Sequence, residues 1–241
     1  MTGSSRGIGA AIAHAFAANG DRVAIHYSSS QVAAIDLHAA LPGAGNILVH
    51  ADLANADSVR TMVDQVAEQL GSVDVLVNNA GIFIPHPIDD ASYEEWQHAW
   101  TQTLAVNLIG AANVTWCAVR HMGRGGRIVN VSSRGAFRGE PSQPAYGVSK
   151  AGLVALGQSL ARALGPRGIS VTTIAPSFAD TDMAAEALAA DGIERRSAES
   201  PLGRIARVEE IAAAVVYLAS PLAEIATGTV LDLNGASHLR M

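Results

Sequence analysis

Short apolar runs alternate with longer, alanine-rich or amphipathic stretches along the whole of this chain. Runs of four or five residues fall at Val23–Tyr27, Ile47–His50, Val73–Val77, Arg127–Val131, Ser170–Ile174 and Thr229–Leu233. They are too brief for helices and rich in valine, isoleucine and leucine, which predicts strands. The stretches between them predict helices at Gly7–Asn19, Gln31–Leu41, Asp57–Leu70, Tyr93–Met122, Tyr146–Leu164 and Val208–Ala219. Gly71 and Gly165 stand where two of those helices should stop. Strands and helices in strict alternation predict an α/β fold, a doubly wound parallel sheet between two helix layers. No repeat, linker or low-complexity segment interrupts the pattern, so one domain over residues 1–241 is expected.

Two places in this pattern carry chemistry. The first helix opens on Thr2-Gly3-Ser4-Ser5-Arg6-Gly7-Ile8-Gly9, a G-x-x-x-G-x-G turn. Glycines there permit a tight bend and let backbone N–H groups approach an anion at the helix N-terminus. The second place is the start of the helix after Pro144, where Tyr146 and Lys150 are four residues apart and share one helix face. A free phenol has a pKa of ~10 and exchanges protons poorly at neutral pH. An ammonium beside it should pull that value down towards the working range. With a serine hydroxyl from elsewhere sharing the substrate oxygen, the pair would give or take a proton at an alcohol or carbonyl.

Composition narrows the partners. The net charge of −6 argues against non-specific nucleic-acid binding, which calls for a basic face. No apolar stretch is long enough to span a bilayer, and no charged-then-apolar leader is visible, so a cytoplasmic protein is expected. Cys117 is the only cysteine and lies in an apolar helical run, which reads as a packed thiol and excludes an intrachain disulfide. The eight histidines are scattered without ligand spacing, so no metal site is expected.

Further motifs follow in order: Asn78-Asn79-Ala80-Gly81 after an apolar run, Asn107 in the long helix, Ser132-Ser133 closing Gly126–Val131, then Pro176 and Thr181. Together with the glycine turn and the Tyr146/Lys150 pair, they resemble the short-chain dehydrogenase/reductase family. The pattern is most like its 3-oxoacyl-acyl-carrier-protein reductases. The resemblance implies a Rossmann-like fold and hydride transfer between a nicotinamide and a ketone or alcohol. It makes Tyr146 the general acid/base and Ser133, thirteen residues before it, the group that orients the reacting oxygen. Lys150 would lower the tyrosine pKa and hold the nicotinamide ribose, and Asn107 would anchor a water in a proton relay. Gly3, Ser5, Arg6, Gly7, Ile8 and Gly9 would cradle the dinucleotide. Tyr27, Ser28, Asp52 and Leu53 would meet its adenosine side. Asn79, Ala80, Gly81, Pro176 and Thr181, with Tyr146 and Lys150, would line the nicotinamide side.

The strand ending at Tyr27, followed by Ser28, offers no carboxylate for a ribose 2′-hydroxyl, while Arg6 can meet a 2′-phosphate. NADP(H) is therefore favoured over NAD(H). Substrate is left open: a 3-oxoacyl thioester, a small free ketone, or the reverse oxidation of a secondary alcohol. A catalytically silent nucleotide-binding protein is the reading from another class. Arg124 and Arg167 resemble carrier-protein docking residues, and Arg138 could meet an acidic substrate or face solvent. Residues 182–198 are expected to form a lid, with Met183, Leu188 and Ile193 as lining. The helix after Tyr146 and the long helix with Trp96, Trp100 and Trp116 carry surplus apolar surface, so a homo-oligomer, dimer or tetramer, is expected.

Three departures from the family pattern stand out. Only Met1 precedes Thr2, where the family has an apolar first strand in mid-sheet, so that strand is expected to be missing or truncated here. Ser177 follows Pro176 where the family usually has glycine, and Asn234-Gly235-Ala236 replaces the family's Asp-Gly-Gly.

Overall fold

Successive side chains of β4 (Arg127–Val131) point to opposite sides of a sheet, as strand geometry requires. Val129 and Val131 enter one apolar cluster, and Ile128 enters another. The same division runs through β1 (Ala24–Tyr27), where Ile25 faces the first cluster and Ala24 the second. Two cores thus lie on the two faces of one layer of strands. Helix α1 (Gly7–Ala18) covers the first face with α9 (Val208–Leu218), while α3 (Ala56–Leu70) and α5 (Ala111–Ala118) cover the second. This is the expected three-layer, doubly wound architecture. The computed structural model describes residues 1–181 and 192–240.

The strands are β1, β2 (Ile47–His50), β3 (Val75–Asn78), β4, β5 (Ser170–Pro176) and β6 (Val230–Leu233), all pairing in parallel. They form two pieces, β1-β2 and β3-β4-β5-β6. Among the described residues no strand pairs β1 with β3; residues 1–4 bridge the two pieces, the Thr2 N–H donating to the Val77 carbonyl (3.0 Å) and the Ser4 N–H to the His26 carbonyl (3.0 Å).

The other helices are α2 (Gln31–Ala40), α4 (Tyr93–Leu104), the short α6 (Gly135–Arg138), α7 (Pro144–Leu164) and α8 (Ile193–Ala198). Local chemistry explains several ends. Ser92 and Glu95 form a capping box at α4, an arrangement in which the N-cap alone is worth about 1 kcal/mol. Gly71, at φ +85°, closes α3 in a left-handed conformation that costs glycine no Cβ clash. The predicted single helix over Tyr93–Met122 needs correction. It is interrupted by a π-helical turn, Ala105–Gly110, and α5 ends at Ala118. Met183 and Leu188 lie outside the described residues, whereas Ile193 opens α8 with its side chain exposed. Among the described residues no helix is long and apolar enough to cross a membrane.

Candidate active site

A cleft of about 310 Å³ opens at the C-terminal ends of the strands, where open α/β sheets bind their ligands. Its floor is the glycine turn. Gly3 and Gly7 sit at φ +62° and +55°, conformations that favour residues without a Cβ. Gly9 is required for a different reason: a Cβ there would lie 2.1 Å from the carbonyl oxygen of Gly3 and 2.7 Å from Asn79 Nδ2. Asn79 locks this arrangement by donating from Nδ2 to the carbonyls of Thr2 (3.1 Å) and Gly3 (2.8 Å). In return, Thr2 Oγ1 accepts from the backbone N–H groups of Asn79 (3.0 Å) and Ala80 (3.1 Å). Thr181 packs over the turn, its methyl 3.2 Å from where a Gly7 Cβ would stand.

His26 is a site residue that sequence reasoning missed. It is buried in β1, with Nδ1 accepting from the Gly3 N–H (2.9 Å) and Nε2 facing the Ala51 carbonyl (3.1 Å). The pairing fixes the tautomer: Nε2 carries the hydrogen and Nδ1 stays bare. Burial pushes the imidazole pKa down from 6.5 to about 4. A depressed pKa stabilises the fold fully above the unfolded value and loses that contribution as pH falls from 6.5 towards 4. His26→Asn should therefore melt below the parent at pH 7, and the gap should narrow as pH approaches 4. Melting profiles across that range check it; a gap independent of pH would sink the assignment.

The reactive groups stand at the inner end of the cleft. Helix α7 begins at Pro144, whose fixed φ and absent N–H suit a first turn. The Ala145 N–H beside it donates to Nε2 of buried His86 (3.2 Å), a second residue the sequence did not flag. This places Tyr146 and Lys150 on the cleft wall. The Ser133 hydroxyl stands beside the Tyr146 phenol on the same cleft wall and favours its ionised form. Ser132 is engaged elsewhere, donating from Oγ to the Lys150 carbonyl (2.9 Å). Phe83 meets the Tyr146 ring edge-on at 5.2 Å.

Asn107 sits in the π-helical turn, fully buried behind the cleft rather than lining it. Its Oδ1 accepts from the Ile82 N–H (2.7 Å), and Nδ2 donates to the Ile82 carbonyl (3.0 Å) and to Ser149 Oγ (3.1 Å). Ser149 Oγ in turn donates to the Tyr146 carbonyl (2.8 Å). Asn107 thereby ties the loop after β3 to the helix that bears the phenol.

The electrostatics correct one expectation. Burial pushes the Tyr146 phenol up to about 12, outweighing the opposite effect of the Ser133 hydroxyl, and the Glu140 carboxylate adds to the rise. Burial also drives Lys150 down to about 8. Its Nζ donates to the Val131 carbonyl (2.9 Å) and lies 5.6 Å from the Tyr146 ring centre. The ammonium is thus turned to the strand rather than the phenol, and desolvation dominates both groups.

All the nucleotide residues expected from the sequence line this one cleft: Gly3, Ser5, Arg6, Gly7, Ile8, Gly9, Tyr27, Ser28, Asp52, Leu53, Asn79, Ala80, Gly81, Pro176 and Thr181, with Tyr146 and Lys150. Arg6 is exposed as the N-cap of α1. Ile82, Val106, Val131 and Ser177 also line the cleft, and nothing in their chemistry announces it. Arg138 is exposed and held in ion pairs. It pairs with Glu140 (3.6 Å) and Glu199 (3.5 Å), and Glu199 also pairs with the buried Arg134. Arg124 packs over Gly168, and Arg167 donates to the Val119 carbonyl. Both precede strands, at the opposite end of the sheet from Tyr146.

A parallel, doubly wound sheet with a glycine turn under such a cleft defines a nucleotide-dependent α/β oxidoreductase. A family model described as Enoyl-(Acyl carrier protein) reductase matches residues 3–238. The chain belongs to the short-chain dehydrogenase/reductase family. It is 36% identical to the 3-oxoacyl-(acyl-carrier-protein) reductase FabG of Staphylococcus aureus, over 99% of this chain and 97% of that one. It is 40% identical to the L-rhamnose 1-dehydrogenase (NAD(P)(+)) of Azotobacter vinelandii, over 100% and 96%. Among solved structures, a short-chain dehydrogenase from Burkholderia cenocepacia in complex with NADP is 38% identical. It superposes with a TM-score of 0.86 over 98% of this chain and 95% of the other.

Proposed function

We propose that this protein reduces a ketone to a secondary alcohol with NADPH, Tyr146 delivering the proton to the substrate oxygen. The observation that carries the reading is the Ser133–Tyr146 hydroxyl pair at the inner end of the cleft that the glycine turn floors. The residues fit a dinucleotide: a helix N-terminus free of Cβ obstruction, and a cleft in the size range of cofactor sites. The bound dinucleotide supplies the hydride. Burial keeps Tyr146 protonated at neutral pH, so it enters the reduction as the proton donor. Ser133 Oγ holds the carbonyl oxygen against the phenol. Lys150, on the cleft wall with its Nζ on the Val131 carbonyl, would hold the nicotinamide ribose, and Asn107 ties the loop after β3 to the helix that carries Tyr146 and Lys150.

For the cofactor, absence of a carboxylate at Tyr27 and Ser28 and the exposed Arg6 support NADP(H). The likeness to an NADP-bound relative points the same way. Tyr27→Asp should reverse the preference, because a carboxylate accepts from a ribose 2′-hydroxyl and repels a 2′-phosphate. The ratio of kcat/KM for NADPH and NADH, measured on parent and variant, decides this; an unchanged ratio would overturn the assignment.

For the substrate, the likeness to FabG supports a 3-oxoacyl thioester, free or on a carrier protein, over small free ketones; Arg124 and Arg167, at the far end of the sheet from the cleft, are not its dock. Oxidation of a secondary alcohol is the second reading, favoured by the likeness to a sugar dehydrogenase. Following NADPH absorbance with an acetoacetyl thioester and a ketone panel tests both. Binding of NADPH without turnover of any ketone would refute reduction. Exposed Ile109, Trp116 and Val148 support pairing of copies through the α4–α5 segment and α7.

A further inference from the structure

The turn between Ser133 and α7 seats a carboxylate among glycines. The Glu140 side chain is only 10% exposed. A Cβ on Gly135 would stand 2.4 Å from Glu140 Oε1, and a Cβ on Gly147 would stand 3.8 Å from Glu140 Cβ. Gly135 opens α6, and its N–H donates to Ser133 Oγ (3.0 Å). Gly147 follows Tyr146 in the first turn of α7. The acid is thus wedged between the two backbone segments that carry the active-site hydroxyls. A methyl group at position 135 would push it out.

The backbone repeats the connection. The Gln143 N–H donates to the Glu140 carbonyl (3.2 Å), and the Tyr146 N–H donates to the Gln143 carbonyl (3.0 Å). Gln143 Nε2 also donates to Glu140 Oε2 (3.3 Å). Arg138 Nε lies 3.6 Å from Oε1, beyond hydrogen-bond distance, and Arg138 also reaches Glu199 (3.5 Å). Among the described residues the carboxylate therefore has one side-chain hydrogen bond and one loose cation. Burying a charge is costly when its partners are few. A seat that needed only filling would take the neutral amide of the same shape.

A charge in this seat bears on the phenol. A nearby anion disfavours ionisation of an acid, most strongly where water is excluded. Glu140 accordingly adds to the rise of Tyr146 that burial begins. The other charged or titratable groups around the phenol are engaged elsewhere. Lys150 Nζ is on the Val131 carbonyl (2.9 Å), and Arg134 is drawn to Glu199. The ring nitrogens of His86 face the Ile84 carbonyl (2.7 Å) and the Ala145 N–H (3.2 Å). On α4, Glu94, Glu95 and His98 are exposed to solvent.

We propose that Glu140 is a positioning residue of the active site: it holds the Ser133 turn against Tyr146, and its charge keeps the proton on the phenol until a substrate oxygen takes it. In the same role it sets the pH at which the reverse reaction begins, since there the phenolate must accept the alcohol proton. The kinetic part rests on Tyr146 being the proton donor, and the effect of the charge on the phenol does not.

The test uses the whole chain with Glu140→Gln, which keeps the shape and removes the charge, and Glu140→Asp, which keeps a charge in the seat. Glu140→Asn supplies a second neutral side chain should the glutamine variant fail to fold. The Cζ resonance of isotope-labelled tyrosine, assigned against Tyr146→Phe, reads the phenolate directly. At about pH 10.5, near the free phenol value, the neutral variants should hold roughly tenfold more Tyr146 phenolate than the parent, and Glu140→Asp should stay close to the parent. Equal phenolate in all of them would overturn the proposal. Oxidation of a 3-hydroxybutyryl thioester by NADP⁺ gives the kinetic reading: the rising limb of rate against pH should move down by about one unit in the neutral variants. Neutral variants that are slower at every pH, with an unmoved limb, would make Glu140 a structural residue and overturn the kinetic part. Extra phenolate in the neutral variants, with no turnover of the thioester by any protein including the parent, would instead refute the proton-donor reading and leave the charge effect standing.

Discussion

Tyr146→Phe should leave a protein that binds NADPH as the parent does and turns over about 10³-fold more slowly. The substitution removes one oxygen. The ring keeps its edge-on contact with Phe83, and α7 keeps its anchor at His86, so the cleft keeps its shape. What goes is the proton donor. A positioned acid or base contributes about 10²–10⁴ in rate, and Tyr146 is the titratable side chain of the cleft whose ionisation Ser133 influences. The pH dependence follows from the direction of the shift. The phenol is held up to about 12, so its ionisation should not limit reduction anywhere in the neutral range. In linkage terms a raised acid favours the fold below its unfolded value near 10 and loses that contribution between there and about 12. Steady-state kinetics with NADPH titrations on the same preparations decide the matter. A phenylalanine variant retaining a tenth of the parent rate would remove Tyr146 from the mechanism.

Gly9→Ala should abolish tight nucleotide binding through a single methyl group. The new Cβ would stand 2.1 Å from the Gly3 carbonyl oxygen, and that oxygen is held by Asn79. Real Cβ atoms do not approach so closely, and here the neighbour is backbone rather than a yielding side chain. The turn must open, breaking the bonds that Thr2 and Asn79 make across it. Overpacking costs about 1–3 kcal/mol, and the rigid surroundings place this case near the top. The expected outcome is a Tm about 6–10 °C lower and NADPH affinity at least about 100-fold weaker. Calorimetry on parent and variant reads both. Full affinity in the alanine variant would mean that the turn does not cradle the ligand.

Much of this was legible in the residues. Buried strands are short apolar runs, and the six predicted ones stand where they should, with ends moved by two residues at most. The start of β3 at Val75 instead of Val73, and the end of β5 at Pro176, depend on pairing with neighbours that no local run encodes. The π-helical turn was invisible. Ala105–Gly110 contains neither proline nor any other local breaker before its last residue. The distortion comes from contacts far along the chain: Asn107 bonded to Ile82, and Gly110 pressed so near Leu53 that a Cβ would lie 2.8 Å from its carbonyl oxygen. The glycine turn and the Tyr146/Lys150 pair were readable because their spacing is their chemistry. The direction of the tyrosine shift was not, since it turns on burial. Nor was the fate of Arg138, whose partner Glu199 lies 61 residues away.

Asn107 has a consequence for how the cleft responds as a whole. Its bonds to Ile82 and to Ser149 clamp the loop after β3 to the opening turns of α7. Ala80 and Gly81 lie in that loop and Tyr146 in those turns, so a shift of one wall of the cleft is carried to the other. Loosening this clamp would blur the position of the phenol without touching the phenol itself.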